Sequence, residues 1–317
     1  MSVALVAALI LAAVSEALAQ QNFPVILQVP SINVQQTYAY GQHLGLFKKE
    51  GLDVRLVVIK PHLATATLMS GDTQFTAQFQ TAFYAGLRSA PVKALFVVNA
   101  RPGWYLVVRP EIQNGKDLKG KAIAVSGLGT STQYAAMRAV AHFGLNPLRD
   151  VTYLGVGDDQ AKLSAFKTGV VHAVQIGAPW QVEAKKLGGR EILFLGDIVE
   201  LPTSGLGTSD KFLKENPEVT KRMLRAGLKT TRAIREHPRD FGEFVAKFLK
   251  MDRDQALLAA ETAGKTMSPD GLLSDDGLKT LIEAGQQSGA IKGAVTPDDG
   301  FDSRPLKEVL HELGTKH

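Results

Sequence analysis

The sequence predicts an α/β protein of two lobes joined by a two-segment hinge, with a helical C-terminal part packed back on the first lobe. Three observations predict it. Short β-branched runs alternate with helical periods in two successive series, the pattern of mostly parallel sheets. The series meet near Pro102; the second is entered at Trp104–Val108 and left at Leu201–Thr208, both extended segments with Pro or Gly nearby. From Ser209 onward the periodicity is almost wholly helical. Two segments crossing between lobes make a hinge beside a cleft. Ligands of open α/β sheets sit beyond the carboxyl ends of the strands, so both sheets would face that cleft.

In the first series, strands are expected at Val25–Val29, Leu52–Ile59, Gln74–Ala77 and Val92–Val98, with helices at Gln36–Glu50, His62–Ser70 and Thr81–Ser89. The second carries strands at Ala122–Val125, Val151–Gly155, Ala173–Ile176 and Ile192–Leu195, and helices from Ser131, at Lys162–Thr168 and at Pro179–Leu187. In the helical tail, Phe241, Phe244, Val245, Phe248 and Leu249 recur at helical spacing, a core face. Loops are expected over Ser268–Asp276 and Gly293–Asp302, and a last helix over Pro305–Leu313. The expected division is a leader at 1–19, a first lobe at 20–107 and 204–317, and a second lobe at 108–203.

The leader expectation rests on Val3–Val14, an apolar run too short to span a bilayer, and on Ala17-Leu18-Ala19, a small-x-small cleavage pattern. It implies export to the periplasm. The chain has no cysteine, so its stability must come from its core, and thiol catalysis and cysteine-ligated metals are excluded. The formal net charge of +5 is spread along the chain and interleaved with acids, without the basic block of a nucleic-acid surface. No nucleic-acid partner is expected. The seven histidines show no i, i+4 pair, and no metal or other cofactor is expected.

The most informative stretch runs from Asp117 to Leu145. A short strand leads into a turn of glycines and hydroxyls, Ser126 to Thr132, and a helix opens at Ser131. The first N–H groups of a helix are unpaired and carry the positive end of its dipole. Glycines admit a ligand to that backbone, and Ser126, Thr130, Ser131 and Thr132 add hydroxyls, a setting for a small anionic or polar group. The stretch is neither a P-loop nor a dinucleotide fingerprint, because Gly-Lys-Ser/Thr is absent and Thr132 replaces the third glycine. An ordinary helix cap is the competing reading.

Several pieces of the chain resemble a family. Gly45-Leu46-Phe47-Lys48-Lys49-Glu50-Gly51-Leu52-Asp53-Val54, with Ser70-Gly71-Asp72, Pro91-Val92-Lys93, Asp117-Leu118-Lys119-Gly120-Lys121 and Lys167-Thr168-Gly169, is similar to the periplasmic solute-binding proteins of ABC transporters. The branch is the one that binds sulfonates, taurine, nitrate and thiamine precursors. The resemblance implies a type II periplasmic binding protein fold that closes on a small-molecule ligand, docks on a membrane permease and works as a monomer. It implies ligand contacts at Asn33 and Gln35, at Gln78, Gln80 and Thr81, at Ser126, Thr130, Ser131 and Thr132, and at Pro179 and Trp180. His172-Ala173 departs from the family's Asp-Ala, and Gln78, Phe79 and Gln80 are bulkier than is usual there.

Each candidate has a structural alternative. Trp180 and Trp104 suit lobe packing as well as ligand contact. Arg101 and Arg109 flank the hinge strand, where solvated charges are the simpler reading. Asp158-Asp159 follows two glycines and reads as a helix cap. The expected function is capture of a small organic solute without catalysis. Enzymes on the same fold that use a cysteine nucleophile or a cysteine-rich iron motif are disfavoured by the lack of Cys. No G-x-S-x-G turn suggests a serine hydrolase. A ligand-sensing subunit of a receptor stays open.

Overall fold

The computed structural model describes residues 22–314; the expected leader at 1–19 lies outside them. The first series runs β1 (Phe23–Val29), α1 (Ile32–His43), α2 (Leu46–Lys49), β2 (Leu52–Val58), α3 (Pro61–Ser70), β3 (Phe75–Thr76), α4 (Phe79–Leu87) and β4 (Val92–Asn99). The helix expected over Gln36–Glu50 is two helices, because Gly45 adopts φ +68° between them. That left-handed conformation is open to glycine and interrupts the helical hydrogen bonding.

The second series runs β5 (Trp104–Val108), β6 (Lys121–Val125), α5 (Ser131–His142), β7 (Val151–Gly155), α6 (Asp159–Lys167), β8 (Ala173–Gly177), α7 (Trp180–Lys186) and β9 (Arg190–Phe194). The chain returns through β10 (Ser204–Ser209) into α8 (Asp210–Glu215), α9 (Pro217–Glu236), α10 (Pro238–Leu249), α11 (Arg253–Thr266), α12 (Asp275–Gln287), α13 (Pro297–Gly300) and α14 (Arg304–Glu312). The stretch expected as a loop over Gly293–Asp302 thus contains a helical turn.

Two five-stranded mixed sheets form, in the orders β2-β1-β3-β10-β4 and β7-β6-β8-β5-β9. β10 is antiparallel to both of its neighbours, β3 and β4, and β5 to both β8 and β9. These are the strands that enter each lobe from the crossovers. A chain leaving one sheet at its carboxyl edge enters the other at its carboxyl edge, so its first strand there must run against the rest. The boundary expected between residues 107 and 108 is therefore corrected. It cuts β5, all of which pairs within the second sheet, and the crossover is the 100–103 segment between Asn99 and Trp104.

One face of the first sheet is covered by α1 and the C-terminal helices. Leu27, Tyr38, Met223, Leu224, Phe241 and Leu306 are all buried there. Phe241 and Val245 are buried in this core and Phe244 packs against it, as the helical spacing of α10 requires. Glu50, which follows α2, ties this layer together by accepting from Arg225 at 2.8 Å and Lys229 at 2.7 Å, both on α9. In the second lobe, α5 lays Ala135, Ala136, Ala139 and Val140 on one face of the sheet. Phe166 of α6 and Ala184 of α7 pack on the other.

The C-terminal helices reach beyond the first lobe. The Tyr105 and Thr262 hydroxyls share a hydrogen bond of 2.8 Å between β5 and α11. α12 takes the Tyr84 hydroxyl on Leu281 O at 3.0 Å from the first lobe and the Tyr134 hydroxyl on Glu283 at 2.8 Å from the second. Among the described residues no helix is long and apolar enough to cross a membrane.

Candidate functional site

The parallel strands of both sheets end toward the crossovers, and the turns beyond them carry the nominated residues. In the first lobe these follow β1 and β3; in the second, β6 and β8. The outgoing and returning crossovers are tied by Arg101, which pairs with Glu200 at 3.0 Å. Ser274, just before α12, also bonds Glu200.

The hydroxyl-rich turn is built as a closed unit. Thr130 is the N-cap of α5, its hydroxyl accepting from Gln133 N. The Thr132 hydroxyl accepts from Ser126 N at 3.0 Å and shares a hydrogen bond of 2.7 Å with Thr130. Thr130 also donates to Gly127 O at 2.7 Å. Two of the four nominated hydroxyls are thus committed to shaping the turn. Ser126 and Ser131, both half-buried, make no side-chain hydrogen bond among the described residues and keep their donors for another group.

In the first lobe, the turn expected after β3 is shorter than the sequence suggests, because α4 starts at Phe79. Gln80 and Thr81 lie in its first helical turn. Gln80 Nε2 donates to Pro202 O at 2.8 Å and clasps the returning crossover. Gln78 is buried, and its Nε2 donates to Ile59 O at 3.3 Å, joining the ends of β2 and β3. Gln35 stands half-buried in the first turn of α1. Asn33 is in that helix too, but its side chain lies outside what is described. Pro179 follows Ala178 through a cis peptide, and Trp180, which opens α7, packs partly buried against the core of its own lobe. No hydrogen bond among the described residues joins the nominated side chains of one lobe to those of the other.

Other groups at the same edges carry chemistry. Asp158 caps α6 by accepting from Ala161 N at 2.9 Å, the role its position after Gly157 suggests. Its neighbour does something else. Asp159 Oδ1 lies 2.5 Å from Lys162 Nζ, and Asp159 Oδ2 accepts from Gly177 N at 3.2 Å. The Lys162 side chain is 1% exposed and also donates to Gln175 Oε1 at 3.1 Å. Burial pushes this ammonium below the usual lysine range, against the opposing pull of Asp159. The i, i+3 spacing of Asp159 and Lys162 at a helix start was the available signal, though burial of the lysine was not legible.

A cavity of about 210 Å³ lies at the carboxyl edge of the first sheet, lined by Gln36, Thr37, Tyr38, Asn99, Ser204 and Phe241 among others. Gln36 Oε1 is buried there without a partner. A second, of about 340 Å³, opens beside the hinge between Arg101, Arg138, Glu200 and the α12 side chains Lys279 and Glu283. Neither is lined by a nominated residue. Among the described residues no group of three or more His, Asp or Glu side chains could hold a metal ion.

Two lobes, each a mixed sheet with flanking helices and joined by paired crossovers, define the periplasmic binding protein fold. The chain belongs to the NMT1/THI5-like family, whose model matches residues 33–241. The sulfonate ABC transporter protein SsuA of Methylobacillus flagellatus KT has a similar structure, at TM-score 0.75 and 17% identity over 93% of this chain and 96% of that one. The nitrate-binding protein NrtA of Synechocystis PCC 6803 gives 0.68 and 13%, over 93% and 90%. A DszB mutant in complex with biphenyl-2-sulfinic acid gives 0.66 and 16%, over 92% and 99%. At these identities the likeness is one of fold. No curated protein matches the sequence.

Proposed function

We propose that this chain is the extracytoplasmic solute-binding subunit of an ABC importer, capturing a small organic solute between its lobes and presenting it to a membrane permease. The carrying observation is that both sheets end their parallel strands toward one pair of crossovers, so that motion about 100–103 and 200–203 changes the gap between two sets of polar turns. Family membership and the printed roles of SsuA and NrtA support it. The proposed contacts are Ser126 and Ser131 with the N–H groups opening α5, and Gln35, Gln78 and Thr81 opposite. Thr130 and Thr132 shape the turn. The reading is non-enzymatic: with no cysteine, the chain lacks the nucleophile of the cysteine-dependent enzymes on this fold.

A solute bound by the folded state alone raises stability by RT ln(1 + [L]/Kd). Thermal-shift screening of sulfonates, carboxylates, nitrate, heterocycles and amino compounds should find a ligand that binds one-to-one. X-ray scattering should then record a more compact molecule. Conversion of the hit into a product would overturn the reading, as would binding to the isolated second lobe with unchanged affinity.

A further inference from the structure

The Asp159–Lys162 pair stands among the cleft-edge turns of the second lobe. Val156 N donates to Val125 O at 3.0 Å and Gly157 N to Ser126 O at 3.1 Å, so the segment leading to Asp159 is stitched to the turn that carries Ser126. Gly177, whose N–H holds the other carboxylate oxygen, is the last residue of β8. The carboxyl ends of β7 and β8 therefore meet at this carboxylate, and the turn after β6 is stitched to the segment that leads to it.

A carboxylate offers about four acceptor positions. Lys162 and Gly177 occupy one on each oxygen, and the Asp159 side chain remains 27% exposed. Lys162, at 1% exposure, is closed off from any solute. It orients Asp159 from below, and it cannot itself present positive charge to a ligand. An ammonium buried this deeply costs several kcal/mol unless paired, and an aliphatic side chain would fill the site without that penalty. What the lysine adds is a fixed carboxylate. Trp104 flanks the same place: a Cβ at Gly177 would lie 3.0 Å from Asp159 Oδ2 and 3.7 Å from Trp104 Cδ1.

Resting on the capture reading above, we propose that Asp159 recognises an amino group of the captured solute, with Lys162 and Gly177 as its positioning residues and Trp104 as its aromatic neighbour. A carboxylate beside an indole favours an ammonium or amino N–H and repels an oxyanion at that position. The ligand class is a small amine-bearing solute. A simple inorganic or alkyl anion does not satisfy Asp159.

The test is calorimetric titration of the whole protein with matched pairs: 4-aminobutyrate against butyrate, and 2-aminoethanesulfonate against ethanesulfonate, with nitrate as an amino-free anion. The amino member of a pair should bind at least tenfold more tightly. Asp159→Asn should erase that preference. Because this variant leaves the Lys162 ammonium without its carboxylate partner, the double variant Asp159→Asn/Lys162→Met provides a neutral pair of similar size and should erase it too. Equal binding of both members by the wild type overturns the proposal, as does a preference that survives in either folded variant. Binding of ethanesulfonate or nitrate alone overturns it while leaving solute capture standing. A chain that binds neither amino probe while the thermal-shift screen finds a ligand without an amino group overturns the proposal and leaves solute capture standing, and a chain that binds nothing in the full screen contradicts both.

Discussion

The Tyr134 hydroxyl on α5 donates to Glu283 Oε2 on α12 at 2.8 Å, joining the helix that follows the hydroxyl-rich turn to the C-terminal helix resting on the first lobe. The helix that follows the second lobe's polar turn is therefore anchored outside that lobe. Burial, reinforced by the acceptor carboxylate, pushes the Tyr134 phenol up to about 12. Tyr134→Phe should cost about 1 kcal/mol near neutral pH. A raised phenol pKa favours the protonated folded state. The wild-type advantage should thus be fully present below pH 10 and shrink as pH rises toward 12, because the unfolded chain ionises first. Denaturant unfolding of both proteins at pH 7 and pH 11 measures it.

Glu50 gives the opposite pH dependence. Burial opposes its ionisation, but hydrogen bonds from Lys229 and Arg225 outweigh that and hold the carboxyl below the usual range. Glu50→Gln should cost about 1–3 kcal/mol, because both cations lose the countercharge and one of them meets an amide NH2 in place of an acceptor oxygen. A lowered carboxyl pKa stabilises above the unfolded value and loses its effect as pH falls through the folded one. The melting temperatures of variant and wild type should therefore converge in acid.

The hydroxyl turn separates two roles by substitution. Thr132→Val leaves Ser126 N without its acceptor and should lower stability by about 1–2 kcal/mol, with Thr132→Ser restoring it. Ser126→Ala with Ser131→Ala should leave the ligand-free melting temperature unchanged. The same double variant should weaken binding of the best thermal-shift hit by about tenfold or more, the loss of one or two hydrogen bonds. Unchanged affinity would remove the turn from the site.

Gly205, in the strand that returns the chain to the first lobe, tolerates no side chain. An added Cβ would lie 1.9 Å from Phe96 O and 2.9 Å from Phe79 Cδ2, and a backbone atom inside a paired strand cannot give way. Gly205→Ala should cost more than the roughly 1–3 kcal/mol of ordinary overpacking and yield little soluble protein. Gly45→Asn is the contrast. Gly45 has φ +68° with nothing within 4 Å of an added Cβ, and asparagine visits that conformation, so melting should change little.

Local pattern made much of the fold legible. Strand–helix alternation is written in side chains that alternate or recur every third or fourth residue, and each observed strand falls on an expected strand or, for β5 and β10, on the extended segments expected where the chain enters and leaves the second series. The cap at Thr130 and the start of α5 at Ser131 follow from local hydrogen bonding, and so does the Asp158 cap. Even the core face of α10 was legible, because burial on a helix repeats with its period.

Local periodicity alone sets an α/β chain in two series with a helical tail, and the turns where its polar groups gather. The rest depends on what approaches from far along the chain, which only the packed fold brings together. β5 belongs wholly to the second sheet since Gly177 and Phe194, some 70 to 90 residues on, supply its partners. Gln80 is drawn to Pro202 across 122 residues, and Thr130 and Thr132 turn their hydroxyls inward on each other. Asp159 and Lys162 are ordinary helix-face charges until β8 packs beneath them and shuts the ammonium away from water, leaving only the carboxylate exposed.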